Sequence, residues 1–267
     1  MYKNILVINL MHIGDLMLVT PVLHALRKSY PDARLSLLAD KKLADLVQYN
    51  QNIDECLLID KKGEDNHPLA FAKFILGIRR KNFDLVINLH RNERASAIAA
   101  FSGAQRIVGY SKPGFSLFFD RVLPNKKAIK HQIHSHFDAL REAAGVKHLE
   151  DNGLELWLPP AAEKSADQIW RTSFEAGKKV VALNIGASWK TKRWCDNYFA
   201  ETADALLDEG YGIAFFGGPM DTQLVEDCIA QMRHKDSEEV QIFTGKVSLA
   251  ELAALLKKCV LFITTDS

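Results

Sequence analysis

The stretch Lys3-Asn4-Ile5-Leu6-Val7-Ile8-Asn9-Leu10-Met11-His12-Ile13-Gly14-Asp15, with the run that follows it to about Ser29, decides the fold. Residues 3–10 form an apolar run of strand length, the pattern of a strand buried on both faces. Residues 11–15 interrupt it with a short loop containing one glycine. Beyond the loop Val19, Val22, Leu23 and Leu26 stand at i, i+3, i+4 and i+7, one face of a helix, and Pro21 is expected to bend its early part. A buried strand leading directly into an amphipathic helix is half of a parallel crossover unit.

The same alternation runs outward along the chain. Further strands are expected at 34–39, 56–59, 84–89 and 106–109, with helices at 43–49, 68–80, 93–101 and 131–144. At 150–160 it breaks: Asp151-Asn152-Gly153 signals a turn, and Pro159-Pro160 cannot lie inside a central strand or helix. A domain boundary is placed there, giving domains 1–158 and 159–267. The second opens with a helix at 161–173 and alternates strands at 179–184, 212–216, 240–243 and 260–264 with helices at 197–208, 222–232 and 249–257. The expected fold class is α/β, with two doubly wound, Rossmann-like parallel sheets facing a cleft. The last strand stops on Thr264-Thr265-Asp266-Ser267 with no helix after it, so the second domain is expected to be incomplete.

With 267 residues, 48% of them hydrophobic and 25% charged, the chain has a globular composition, and disorder or coiled coil is excluded. No run reaches the roughly 18 apolar residues of a membrane span, so a cytoplasmic protein, at most peripheral on a membrane, is expected. Cys56, Cys195, Cys228 and Cys259 lie far apart, without zinc spacing, which suits a reducing compartment. Residues 1–158 carry 22 Lys+Arg against 17 Asp+Glu, while the remainder is acidic. That excess either recognises an anionic partner or is a solvated basic loop. Nucleic acid is disfavoured, because no binding motif accompanies the charge.

Four places can carry chemistry. Asp15, behind His12 and Gly14, sits where doubly wound proteins place their sites; it either caps a helix or serves as a general base. After the first strand of the second domain comes Asn184-Ile185-Gly186-Ala187-Ser188-Trp189-Lys190-Thr191-Lys192-Arg193-Trp194, whose glycine, hydroxyls and cations suit a phosphate, Ser188 donating and Lys192 supplying charge. The alternative is a charged surface loop anchored by its tryptophans. Neither this loop nor residues 9–15 has the glycines of a dinucleotide fingerprint or a Walker A loop. Gly217 and Gly218, before Pro219, permit close backbone approach or form an ordinary turn. His131, His134 and His136 cluster without zinc spacing and are expected to face solvent or an acceptor, not a metal.

In this order the motifs resemble the family-9 glycosyltransferases, the ADP-heptose–lipopolysaccharide heptosyltransferases. The resemblance runs from Ile5-Leu6-Val7-Ile8 through Gly14-Asp15 and Thr20-Pro21 to Phe216-Gly217-Gly218-Pro219 and Thr265-Asp266-Ser267. It implies a GT-B fold with the acceptor domain first and the nucleotide-sugar domain second, no cofactor or metal, and inversion at the transferred sugar. It further implies that Asp15 deprotonates the acceptor hydroxyl and that Lys192 binds the donor phosphates, with Ser188, Gly217, Gly218 and Asp266 lining the donor pocket. On the acceptor side stand His12, Gly14, His131 and His134. The implied partners are a nucleotide-sugar, ADP-heptose, and a lipopolysaccharide-core acceptor, with peripheral contact at the inner membrane. Another nucleotide-sugar, or an inactive binding fragment, remains the alternative.

Overall fold

The computed structural model describes residues 2–110, 112–123, 131–146, 149 and 153–265. The chain divides into two compact units, Met1–Trp157 and Leu158–Ser267. The first contains strands β1 (Asn4–Ile8), β2 (Arg34–Asp40), β3 (Glu55–Ile59), β4 (Leu85–Asn88), β5 (Arg106–Tyr110) and β6 (Arg121–Leu123). Its α-helices are α1 (Ile13–Met17), α2 (Thr20–Ser29), α3 (Ala44–Val47), α4 (Pro68–Arg79), α5 (Glu93–Phe101) and α6 (Gln132–Ala144). The second contains α7 (Pro160–Ser173), β7 (Val180–Asn184), α8 (Asp196–Asp208), β8 (Gly212–Phe215), α9 (Thr222–Ala230), β9 (Val240–Ile242), α10 (Leu249–Leu256) and β10 (Leu261–Thr264).

Every strand pair in both sheets is parallel. The first sheet has the order β3-β2-β1-β4-β5-β6 and the second β10-β7-β8-β9. In both, the winding reverses beside the first strand, between β1 and β4 and between β7 and β10. Such a switch point leaves a crevice outside the carboxyl ends of its two strands.

The central strands of both sheets are covered on both faces, whereas the edge strand β10 leaves Leu261 and Phe262 exposed. In the first unit Leu6, Ile8, Leu38 and Val86 pack with Ile78 of α4 and Ala95, Ile98 and Ala99 of α5. The alternate positions Ile5 and Val7 turn to the other face, where α2 and α6 meet the sheet and each other. In the second unit Val181, Leu183 and Phe215 pack against α8 and α9, while Val180, Ala182 and Ala214 pack against α7 and α10. Burying each large aliphatic side chain contributes about 1.5–3 kcal/mol. That is why the central strands are apolar at every position instead of every second one.

Three local expectations are corrected. The helix after β1 is two helices, because Pro21 has no N–H to give the Met17 carbonyl four residues back; the Thr20 hydroxyl donates to it instead, at 2.8 Å. Asp15 consequently lies inside the first turn of short α1, not in a loop. The predicted helix at 43–49 shrinks to α3, preceded by a 3₁₀ turn that the Asp40 carboxylate caps at the Lys42 N–H. Residues 121–123, which no expected element covers, form β6, a short edge strand whose sequence lacks the length of a strand signal.

Gly109 of β5 has a tight neighbourhood: a Cβ there would lie 3.0 Å from Asn88 Cβ and 3.0 Å from Phe119 Cε2. Gly109→Ala is expected to lower stability by about 1–3 kcal/mol through overpacking. Calorimetry checks this, and an unchanged melting temperature would refute the close β4–β5 approach.

Candidate functional site

At the first switch point both strands end on a buried asparagine. Asn9 follows β1 and its side-chain oxygen accepts the Met11 N–H at 2.9 Å; Asn88 closes β4 and accepts the His90 N–H at 3.1 Å. Each side chain replaces a ladder partner that the departing backbone has lost, and so sets the direction of its turn. Lys61, beyond β3, braces the first turn: its Nζ donates to the Leu10 carbonyl at 2.6 Å and pairs with Asp40 at 2.9 Å.

The Asn9 turn delivers His12 and Asp15. His12 is the N-cap of α1 but makes no side-chain cap bond. Asp15 is half-buried, and among the described residues its carboxylate accepts no hydrogen bond, so the capping role is not seen. Its negative charge is felt by two imidazoles, those of His90 and His136. Burial, reinforced by the Lys61 ammonium, pushes His90 down to about 4; burial and the Arg91 guanidinium do the same to His136. Both rings are therefore neutral at physiological pH. Asn9 Nδ2, His90 Nδ1 and His136 Nδ1 are buried without a hydrogen-bond partner, an unusual gathering of unsatisfied polar atoms around one edge. Arg91 lies 4.3 Å over the Tyr110 ring at the end of β5.

Gly14 is exposed, and a Cβ there would meet nothing within 4 Å, so no protein packing requires glycine at that position. His131 caps α6, its Nδ1 accepting the Ile133 N–H at 3.4 Å, and its ring lies 6.4 Å from that of His134. Both are exposed, whereas His136, on the inner face of the same helix, enters the Asp15 environment. Sequence reasoning missed His90, and it named His136 only within the histidine cluster expected to face solvent or an acceptor, whereas the ring is buried. A usable signal existed, since His136 shares the inward face of α6 with Ile133 and Leu140, at i−3 and i+4.

The second switch point repeats the device. Asn184 closes β7 and accepts the Gly186 N–H at 3.3 Å. Thr265, beyond β10, donates its hydroxyl to the Gly186 carbonyl at 2.5 Å and its N–H to the Asn184 carbonyl at 3.2 Å. Arg193 holds the Ala187 carbonyl through Nε and Nη2, at 3.1 and 3.0 Å, so its guanidinium staples the loop. The loop so fixed presents Ser188 and a 3₁₀ turn, Lys190–Lys192, at the surface. Trp194 packs 5.1 Å from the Phe199 ring, but Trp189 is 70% exposed and anchors nothing.

Asp221, which sequence reasoning overlooked, joins this loop to the glycine turn. It accepts the Gly218 N–H at 2.9 Å, and its carboxylate lies so close to Gly186 that a Cβ there would sit 2.3 Å from Oδ1. Gly217 lies between Asp221 and Thr244. The second unit thus brings Ser188, Lys192, Gly217 and Gly218 to the same carboxyl edge, while Asp15 and the histidines belong to the first unit. Asp266 lies outside the described residues. Among the described residues no three His, Cys, Asp or Glu side chains gather as metal ligands, and no helix is long and apolar enough to cross a membrane.

Residues 71–267 match the family model described as glycosyltransferase family 9 (heptosyltransferase). The chain belongs to glycosyltransferase family 9. It is thus a glycosyltransferase by family, and its two parallel sheets are of the GT-B class. A family-9 glycosyltransferase from Veillonella parvula DSM 2008 is 33% identical, with a TM-score of 0.91 over 98% of this chain and 75% of that one. Lipopolysaccharide heptosyltransferase 3 of Escherichia coli K12 is 26% identical over 95% of this chain and 74% of its own length. The structure of E. coli ADP-heptose lps heptosyltransferase II, 19% identical, shares the fold, with a TM-score of 0.82 over 99% of this chain and 80% of that one. The matched family span holds the second unit's loops and His90, whereas Asp15 precedes it.

Two outcomes are expected. Gly186→Ala collides with Asp221 and lowers the melting temperature, and Asp221→Ala in the same chain restores part of it; strictly additive losses in thermal unfolding would refute the contact. The neutral, buried His136 contributes stability that is full above its unfolded pKa near 6.5 and is lost as pH falls toward about 4, since the unfolded chain then binds the extra proton. Melting temperatures between pH 7 and 4 check this: His136→Gln should flatten the acid limb, and an unaltered limb would refute it.

Proposed function

We propose that this family-9 glycosyltransferase moves a heptose from ADP-heptose to the inner core of lipopolysaccharide, inverting the anomeric centre. The names of its relatives support the donor and acceptor classes. The observation that carries the mechanism is the Asp15 carboxylate: it stands at the crevice of the first sheet with no hydrogen-bond partner among the described residues, beside two neutral imidazoles and three unsatisfied polar atoms. A carboxylate not engaged by the protein is available to a substrate hydroxyl.

In this reading the acceptor oxygen attacks the anomeric carbon of the donor from the face opposite its diphosphate. The new C–O bond forms as the bond to ADP breaks, and the hydroxyl proton passes to Asp15. Negative charge then grows on the departing diphosphate, where Lys192 and the Ser188 hydroxyl, held out by the Arg193 and Thr265 fixings, stabilise it. Charge stabilisation comes from this loop, so the proposed reaction takes no metal or other cofactor. Gly217, Gly218 and Asp266 complete the donor side, and His12, Gly14, His131 and His134 lie on the acceptor side.

Asp15→Asn is expected to lower kcat by about 10²–10⁴-fold while leaving ADP affinity within about twofold. Lys192→Gln should instead weaken ADP binding. Isothermal titration with ADP and a coupled ADP-release assay measure the two. Turnover of Asp15→Asn near that of the unaltered chain would remove Asp15 from the mechanism.

A further inference from the structure

Helix α4 departs from the pattern of a surface helix. Its inner face, Phe71, Phe74, Ile75 and Ile78, packs on the core of the first unit. Its outer face is Leu69, Ala72, Lys73, Leu76 and Arg80, at i, i+3, i+4, i+7 and i+11, and all five are exposed, Leu69 at 87%. The sequence of α4, PLAFAKFILGIR, contains no acid. Lys73, Arg79 and Arg80 have no acidic partner among the described residues. A helix apolar on both sides is normally buried all round; this one leaves leucines and cations together in solvent.

The surface continues past the helix end. The Arg79 side chain lies against Gly103, where a Cβ would sit 3.0 Å from its Cγ, and Gly103 follows α5 closely. Phe101, the last residue of α5, packs 5.4 Å from Phe118 and 6.3 Å from Phe115 by ring centroid. Phe101 and Phe118 are exposed, and Leu117 between the two partner rings is 88% exposed. This flank runs along the helices that cover one face of the first sheet, from the first turn of α4 to the last residue of α5. Apolar side chains that can enter a hydrocarbon boundary, interspersed with cations that no acid neutralises, are what an anionic lipid surface requires of a protein.

We propose that the outer face of α4, with Phe101, Leu117 and Phe118, docks the protein on an anionic membrane surface. The leucines and phenylalanines enter the acyl boundary, and Lys73, Arg79 and Arg80 meet lipid phosphates. Charge complementarity selects this occupant over a second copy of the chain, whose own α4 would bring like charges together.

The test is co-sedimentation with sucrose-loaded vesicles of equal parts phosphatidylglycerol and phosphatidylcholine, against vesicles of phosphatidylcholine alone. It needs no turnover, so its result stands apart from that of the transferase mechanism. The protein should bind the anionic vesicles and release them at high salt. Lys73→Gln with Arg80→Gln should weaken binding about fivefold for each charge removed. Leu69→Ser with Leu76→Ser, or Leu117→Ser with Phe118→Ser, should weaken it about tenfold or more, with thermal unfolding run beside each to show that the variant is still folded after losing contacts such as Phe101–Phe118. Equal binding to both vesicle types, no binding to either, or binding untouched by all three variants would overturn the proposal. So would a solution dimer that the leucine and phenylalanine substitutions dissolve.

Discussion

The structure depends on how two parallel sheets release their chains at the point where the winding reverses. A central strand in such a sheet has every backbone group paired until its last residue, and there the chain must leave with its polar groups still satisfied. Asn9, Asn88 and Asn184 resolve this in the same way, the side-chain oxygen accepting the N–H two residues on. Each turn is thereby held by a short bond instead of by bulk, which leaves room at the crevice. Asp15 follows the Asn9 turn, His90 the Asn88 turn, and Ser188 and Lys192 the Asn184 turn.

Around these turns, structural and chemical residues are separated by what their polar atoms are already doing. Lys61 is committed to the Leu10 carbonyl and Asp40, Arg193 to the Ala187 carbonyl, and Asp221 to the Gly218 N–H. Asp15 has no such commitment among the described residues. The charged loop 184–194 shows why a count of cations does not identify a binding group: three cations stand together in sequence, and one of them is spent on holding the loop in shape.

Electrostatics in the first unit follow the same division. Burial holds His90 and His136 neutral, so Asp15 is surrounded by polar but uncharged rings and not by a permanent ion pair. Lys61 and Arg91, whose charges reach those two rings, are themselves engaged otherwise, Lys61 with Asp40 and the Leu10 carbonyl and Arg91 over the Tyr110 ring.

By itself the sequence determined the α/β class, the parallel strands and most of the helices, because a central parallel strand must be apolar throughout and a covering helix must repeat its apolar face every 3.6 residues. Local signals of this kind survive without knowledge of what they pack against. It also placed Asp15, Ser188 and Lys192 shortly after strands and carried the family resemblance, since motif order is linear. Tertiary structure alone decided that Pro21 splits the first helix through a carbonyl that Thr20 recovers, and that His136 turns inward while His131 and His134 turn out. It alone brought Asp221 against Gly186, a contact between residues 35 positions apart. Such outcomes turn on distances of a few ångströms between segments remote in the chain, and linear order carries no record of those distances.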